Sequence, residues 1–220
     1  YLCATPIGNL EDITLRALRI LKEADYIAAE DTRHTLKLLN HYDISKPLIS
    51  YHEHNRMEKG PEIIELVRQG KKVALVSDAG MPGISDPGAD LVKMAYEAGV
   101  SVTVVPGPSA ALSALVLSSL PTRRFAFEGF LPRERKQRRE RIQMLQTEQR
   151  TVIIYEAPHR IKALLRDMLD VLGSRRIAIV RELTKIYEEV MIMSLQEAVE
   201  YYDGRTPKGE FVLVLEGAQP

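Results

Sequence analysis

Three loops carry the residues most able to do chemistry in this 220-residue chain. Pro6-Ile7-Gly8-Asn9 follows one short apolar run. Residues 77–88, Ser-Asp-Ala-Gly-Met-Pro-Gly-Ile-Ser-Asp-Pro-Gly, follow a second, and Pro106-Gly107-Pro108-Ser109-Ala110-Ala111 follow a third. Glycine lets backbone come close to a ligand and proline fixes the shape of a loop. A plain turn needs one or two such residues, whereas residues 77–88 hold five, so a ligand loop is the better reading. Asp78, directly after a buried run, is suited to accept hydrogen bonds from an amine. Ser109 stands where a small-residue helix begins, a place whose free amides suit a carboxylate.

Other chemistries fit less well. His52 and His54 would share one face of a strand, but no third ligand follows, so a hydrogen-bonded loop is favoured over a metal site. The strand-turn-serine-helix pattern at 105–111 loosely matches a hydrolase elbow, but Ala111 stands where the second glycine belongs. Neither G-x-G-x-x-G nor a P-loop occurs; Glu65 occupies the position of the P-loop's upstream glycine.

The elements that must position these loops alternate. Apolar runs at 1–4, 26–29, 47–51, 73–76 and 101–105 read as strands. Helical patterns separate them: one capped by Asn9 with Leu10, Ile13, Leu15, Leu18 and Leu21 in period, one carrying Leu36, Leu38 and Leu39, one at 61–69, one opened by Asp86-Pro87 and closed by Gly99, and one at 108–117. Such alternation implies right-handed crossovers and a mostly parallel sheet, with ligands beyond the carboxyl ends of the strands, where all three loops lie. The second half places strands at 125–129, 151–155, 177–180, 188–193 and 211–215 among helices at 134–146, 160–172 and 195–202. Strands there adjoin without a helix between them, which suggests a mixed sheet. The expected fold is therefore α/β with two αβα lobes, residues 1–120 and 121–220, and a ligand cleft between them.

Composition narrows the function. Thirty basic and thirty acidic residues balance to a formal net charge of zero, with 45% hydrophobic and 27% charged residues, a globular mix. Neutrality argues against a uniformly basic nucleic-acid binder, yet the charges are uneven. Arg133, Arg135, Lys136, Arg138, Arg139 and Arg141 fall within nine residues, opposed by Glu134 and Glu140, with Arg123 and Arg124 just upstream. Glu134–Arg138 and Lys136–Glu140 pairs at i,i+4 spacing account for only two of these cations. The excess reads as a phosphate-contacting patch. Aromatic residues are 6%, without Trp, so an aromatic stacking platform is not expected. The single Cys3 reads as a buried strand residue and fits a reducing, cytoplasmic compartment. No run spans a membrane and no signal peptide precedes the first strand. The start at Tyr1 suggests trimming relative to the natural protein.

Taken together, these loops resemble the tetrapyrrole methylase superfamily, whose S-adenosylmethionine site lies between two α/β lobes. Residues 4–14 (Ala-Thr-Pro-Ile-Gly-Asn-Leu-Glu-Asp-Ile-Thr), Ala29-Glu30-Asp31-Thr32-Arg33, residues 77–88, Glu128-Gly129-Phe130-Leu131-Pro132, Tyr155-Glu156 with His159-Arg160, and Arg181-Glu182-Leu183-Thr184-Lys185 resemble its RNA-modifying branch, in the right order and over almost the whole chain. The glycine-rich first loop of the corrin and porphyrin enzymes is replaced here by Pro6-Ile7-Gly8-Asn9, and their Gly-Asp-Pro loop by Ser77-Asp78-Ala79-Gly80. Both replacements favour RNA over a tetrapyrrole or other small molecule, the alternative substrate class. A non-catalytic RNA-binding module is the third reading. Chains of this branch usually run past position 220, so a further C-terminal segment is expected.

The resemblance implies methylation of the 2′-hydroxyl of a cytidine in the decoding region of small-subunit (16S) ribosomal RNA, free or in an assembled 30S particle, by a homodimer. It implies that Asp78, Gly80 and Met81 surround the methionine part of S-adenosylmethionine beside Pro6 and Ile7. Ser109 and Ala110 would sit opposite, and Tyr155 and Glu182 would close over the adenosine. Such a transfer is an in-line displacement that needs alignment and a proton acceptor but no metal. Asp31, Glu182 and Lys185, together with Glu156 and His159, are the candidate bases. Their alternative roles are a helix N-cap for Asp31 and an exposed ion pair for Glu182 and Lys185. Arg33, Arg123, Arg124, Arg133, Arg135, Lys136, Arg138 and Arg139 are the candidate RNA contacts.

Overall fold

The computed structural model describes residues 1–219, which form two compact units, one of Tyr1–Ser109 and one beginning at Ala110. In the first unit the apolar runs become β1 (Leu2–Cys3), β2 (Tyr26–Ala29), β3 (Leu48–Ser50), β4 (Val73–Val76) and β5 (Val104–Val105). They pair in the order β3-β2-β4-β1-β5, every pair parallel. Parallel neighbours need crossovers, supplied by α1 (Leu15–Glu23), α2 (Thr32–His41), α3 (Arg56–Arg68) and α4 (Ala89–Glu97). Both sheet faces are covered, so the central strand Val-Ala-Leu-Val of β4 is buried at every position. Cys3 is fully buried on β1, as its apolar setting suggested.

Several helix starts differ from expectation. Asn9 caps only a 3-10 turn, Leu10–Asp12, by accepting the Glu11 N–H at 3.1 Å. The helix proper begins at Leu15, capped by the Thr14 hydroxyl, and Leu15 itself is exposed. α3 starts five residues before Pro61, which lies inside it. Asp86 does not cap α4. Gly88 stands before it at φ 144°, where a Cβ would lie 3.0 Å from Gly83 N and 3.1 Å from Leu75 Cδ2. Only glycine fits that approach.

The second unit begins with α5 (Ala110–Leu117), a helix that the sequence grouped with the first lobe but that packs on strands of the second. Its sheet runs β6-β7-β10-β8-β9, with β6 (Phe125–Phe130), β7 (Thr151–Glu156), β8 (Arg176–Arg181), β9 (Glu189–Ser194) and β10 (Phe211–Leu215). β6 and β7 are parallel and the remaining pairs antiparallel, the mixed sheet that adjoining strands suggested. Because β10 runs against both β7 and β8, the carboxyl ends of β6, β7 and β8 share one edge. One sheet face is packed by α6 (Arg135–Met144), α7 (Ile161–Leu172) and α8 (Leu195–Tyr202) around Ile142, Leu164, Leu165, Met168, Ile179 and Leu213. α8 is locked by a capping box between Ser194 and Glu197.

Candidate functional site

In the first unit the three loops meet at the carboxyl edge of the sheet. Thr5 and Gly80 exchange two backbone hydrogen bonds of 2.9 and 3.1 Å, joining the loop after β1 to the loop after β4. Thr5 Oγ1 donates to Ser77 O at 3.2 Å. Gly80 is buried at φ 80°, and a Cβ there would stand 3.4 Å from Ile7 Cγ2 and 3.7 Å from Pro108 O. Gly107 lies so close to the residue after β1 that a Cβ would come within 2.9 Å of Ala4 Cβ. Ile7, Gly80 and Pro108 thus form one packed cradle, with glycine at the positive φ of position 80 and at the close approach of position 107. Pro6 and Met81 are half-buried beside it.

Asp78 ties this edge to β2: its Oδ1 accepts the Asp31 N–H at 3.1 Å. Asp31 caps α2 and receives Arg33 twice through side-chain atoms, at 2.9 and 3.2 Å. The Arg33 contacts hold the Asp31 carboxyl down at about 2. Asp31 therefore does the capping work weighed for it, and the exposed Arg33 guanidinium is engaged with it.

Two further carboxyls belong to this edge and the sequence did not single them out for chemistry. Burial, then Glu30 and Asp78, push the Asp86 carboxyl up to about 7. Burial and Asp78 likewise raise Glu30. Asp86 sat in view inside the glycine-proline loop, but its proline neighbour read as a helix start. No cluster of ligating side chains able to hold a metal occurs among the described residues.

In the second unit the corresponding edge carries Tyr155, Glu156 and Glu182. Tyr155 accepts the Ala111 N–H through its hydroxyl at 3.1 Å, tying the first turn of α5 to β7. Its ring meets Phe127 and Phe130 edge-on, with centroids 5.1 and 5.6 Å apart. Ser109 closes the first unit and Ala110 opens α5. Glu156 is buried. Its Oε1 accepts the Ala157 N–H at 2.9 Å and pairs with Arg160 Nε at 3.0 Å, out of line for a hydrogen bond, while Oε2 has no partner among the described residues. Burial raises its pKa against the pull of that N–H and of Arg160. His159 is exposed.

Glu182 and Lys185 form the ion pair weighed as their alternative role, at 3.0 Å, extended to Glu210 at 2.9 Å. Burial works to raise the Glu182 carboxyl, but the Glu210 N–H and the Lys185 ammonium outweigh it and the net direction is down. Lys185 is held up by Glu210 and Glu182 against burial. Glu182 takes φ 51°, and its side chain lies on Gly209, where a Cβ would stand 2.6 Å from Glu182 Cγ. The backbone is strained here and the glycine makes room for the side chain.

The basic segment is corrected by the structure. Arg138 is buried, and its guanidinium donates to Asp167 Oδ2 at 2.6 and 2.9 Å. Such a group is not available to a phosphate. Arg135 and Arg139 also reach Asp167 at 3.2 and 3.1 Å, Arg139 reaches Asp170, and Arg141 reaches Glu128 at 2.6 Å. Neither expected i,i+4 pair forms. Glu134 instead caps α6, accepting the Lys136 and Gln137 N–H groups. Asp167, Asp170 and Glu128 were invisible as partners because they lie 13 to 32 residues away in sequence. Arg123, Arg124, Arg133 and Lys136 remain exposed without an ion-pair partner among the described residues.

A two-unit α/β architecture with a glycine-cradled loop edge places the chain in a class, and sequence comparison gives it. The chain belongs to the family described as Tetrapyrrole (Corrin/Porphyrin) Methylases, whose model matches residues 1–199. It is 56% identical over 217 residues to Ribosomal RNA small subunit methyltransferase I of Halalkalibacterium halodurans, covering 99% of this chain and 75% of that protein. It is 49% identical over 215 residues to the protein of the same name from Thermotoga maritima, covering 98% and 96%. Among solved structures it resembles uroporphyrin-III-C-methyltransferase from Thermus thermophilus at 22% identity and TM-score 0.64, covering 97% of this chain and 92% of that one. The methyltransferase CobJ matches at 18% identity and TM-score 0.70, covering 96% and 90%. These structural matches are likenesses of fold.

Proposed function

We propose that this protein transfers the methyl group of S-adenosylmethionine to ribosomal RNA, at the 2′-hydroxyl of a cytidine in the decoding region of the small-subunit molecule. The observation that carries the reading is near-full-length identity of 49–56% with relatives named for small-subunit ribosomal RNA methylation. Uroporphyrin-III-C-methyltransferase and the methyltransferase CobJ share the fold at 22% and 18% identity. The packed loops at Ile7, Gly80 and Pro108 bring backbone polar groups and Asp78 to one edge, which supports a ligand there. Pro6, Ile7, Asp78, Gly80 and Met81 would hold the methionine part, Ser109 and Ala110 would face it, and Tyr155 and Glu182 would take the adenosine.

The cofactor supplies an electrophilic methyl carbon on sulfur. The chain's own task is to bring a ribose oxygen in line with that carbon and exclude water, which in suitable geometry is worth about 7–11 kcal/mol of barrier. Asp31 and Lys185 are poor proton acceptors at neutral pH, the first because Arg33 holds it at about 2, the second because Glu210 and Glu182 keep it charged. Asp86, at about 7, is the acid group best matched to proton transfer on this edge. A ribosomal substrate implies a cytoplasmic setting, and a homodimer acting on a 30S particle is part of the same proposal.

The test is ribose-methylation mapping by mass spectrometry of small-subunit RNA from cells lacking the protein. One cytidine should lose its 2′-O-methyl group and regain it on complementation. An unchanged methylation map would defeat the assignment.

A further inference from the structure

Residues 131–133, directly after β6, are held by their carbonyls. Arg160 donates through one nitrogen to Leu131 O at 2.7 Å and Pro132 O at 3.2 Å, and Arg138 donates to Arg133 O at 3.2 Å. Both guanidiniums are themselves fixed by buried carboxylates, Arg160 by Glu156 and Arg138 by Asp167. Three consecutive carbonyls are thus bolted to two guanidinium–carboxylate pairs, and Leu131 anchors the segment in the core.

The strand before this strap is bulged. Phe127 pairs with Ile153 while Gly129, at φ 61°, pairs with Ile154, so Glu128 is the extra residue. In a regular strand Phe127 and Phe130 would point to opposite faces. The bulge puts both against the Tyr155 ring, and re-aiming a side chain is what bulges do. Phe130 is nevertheless 55% exposed. Three residues on, Arg133 is exposed and has no ion-pair partner among the described residues, in contrast to Arg135, Arg138, Arg139 and Arg141, and Lys136 is likewise unpaired.

We infer that this strap is a nucleotide-binding element for the RNA strand, in which the exposed ring of Phe130 stacks on an unpaired base and Arg133 takes an adjacent phosphate. An exposed aromatic ring three residues from an exposed cation without an ion-pair partner is complementary to a nucleotide, which offers a flat base and an anionic backbone. Single-stranded RNA is recognised by such stacking. The low aromatic content pointed away from a platform of many rings; a single ring suffices when its backbone is immobile, since little freedom is lost on binding. The inference deepens the proposed RNA methylation and rests on that reading for its substrate class.

The chain contains no Trp, so Phe130→Trp places a lone tryptophan, excitable apart from the tyrosines, at the stacking position. The probe is a short single-stranded RNA with a central cytidine, its binding followed independently by anisotropy of a terminal dye. Tryptophan emission should be quenched to saturation over the same range in which the dye reports binding. Arg133→Glu should weaken both signals, as should rising salt. With small ribosomal subunits from cells lacking the protein as substrate, Phe130→Ala should raise KM for the particle about ten-fold or more. Its affinity for S-adenosylmethionine should fall by far less than that, since Phe130 reaches the adenosine side only through Tyr155. Binding of the dye-labelled RNA without quenching would overturn the strap, as would a Phe130→Ala protein with the parent's KM. A Phe130→Ala protein that changes oligomeric mass would also overturn it, assigning the ring to a contact between copies. Quenching in a protein that methylates no RNA would overturn the proposed reaction and leave the strap standing.

Discussion

Arg138 and Asp167 form a buried guanidinium–carboxylate pair, with hydrogen bonds of 2.6 and 2.9 Å and side chains only 8% and 3% exposed. The pair joins α6 to α7, and through Arg138 it also holds the strap at Arg133. Removing one partner leaves the other charge buried, which typically costs about 3–5 kcal/mol. Arg135 and Arg139 still reach Asp167, so Arg138→Ala should lose about 3 kcal/mol, the lower end of that range, in urea denaturation. Burial alone would raise the Asp167 carboxyl, but the three guanidiniums outweigh it and the net direction is down. A folded pKa below the unfolded one contributes stability above the unfolded value, which is lost as pH falls through the folded value. Acid stability below about pH 4 should therefore depend less steeply on pH in Arg138→Ala than in the parent. A parent-like denaturation midpoint in Arg138→Ala would refute the structural role.

Gly80 and Gly70 adopt nearly the same left-handed backbone, φ 80° and 82°, in different surroundings. A Cβ on Gly80 would meet Ile7 Cγ2 and Pro108 O, while a Cβ on Gly70 would meet nothing within 4 Å. Alanine at either position pays for the backbone, about 1 kcal/mol of stability. Only Gly80→Ala should also weaken S-adenosylmethionine binding, which calorimetry on the two variants measures directly. Equal affinities would remove the cradle from the binding site.

Most of the fold was legible because its signals are local. Buried runs such as Val73–Val76, with glycine- and proline-bearing loops after them, fix parallel strands and the edge where ligands belong. What escaped was set by distance in sequence. The charge run at 133–141 reads as a surface patch until Asp167 and Asp170 fold against it, and no spacing rule reaches across those residues. The packing of α5 escaped for a similar reason: the helix is apolar on all sides, so its own pattern names no partner, and its contacts with β7 and β10 decide. Phe130 stands out in sequence only as part of the motif at residues 128–132, because a bulge that turns one phenylalanine toward Tyr155 leaves no periodic trace.

Asp86 gives a pH dependence of the opposite sign to Asp167. Its carboxyl rises from 3.8 to about 7, chiefly through burial and then through Glu30 and Asp78. The folded protein therefore holds a proton that the unfolded chain releases, so stability from this group is present at low pH and lost as pH rises from about 4 to about 7. Asp86→Asn keeps the neutral shape without the ionisation. Thermal midpoints between pH 5 and 8.5 should fall with pH more steeply in the parent than in Asp86→Asn, and the variant should be the more stable above pH 7. If Asp86 also takes the ribose proton, the variant loses methyl transfer while gaining stability. Parallel midpoint curves would show that Asp86 does not titrate in this range.

Asp31 and Lys185 test where the proton does not go. Asp31 at about 2 is a full carboxylate throughout the neutral range, and its two oxygens are already committed to Arg33 and to the cap of α2. Asparagine caps a helix about as well as aspartate, so Asp31→Asn keeps the fold. Lys185→Arg keeps a cation between Glu182 and Glu210. A general base contributes typically 10²–10⁴-fold, and its ionisation shapes the rate profile. Both variants should retain methyl-transfer rates within about ten-fold of the parent, well short of that loss. Their rate profiles between pH 6 and 9 should have unchanged inflections. A loss of a hundred-fold or more in Asp31→Asn, together with a vanished acidic limb, would restore Asp31 as the proton acceptor and displace Asp86 from that role.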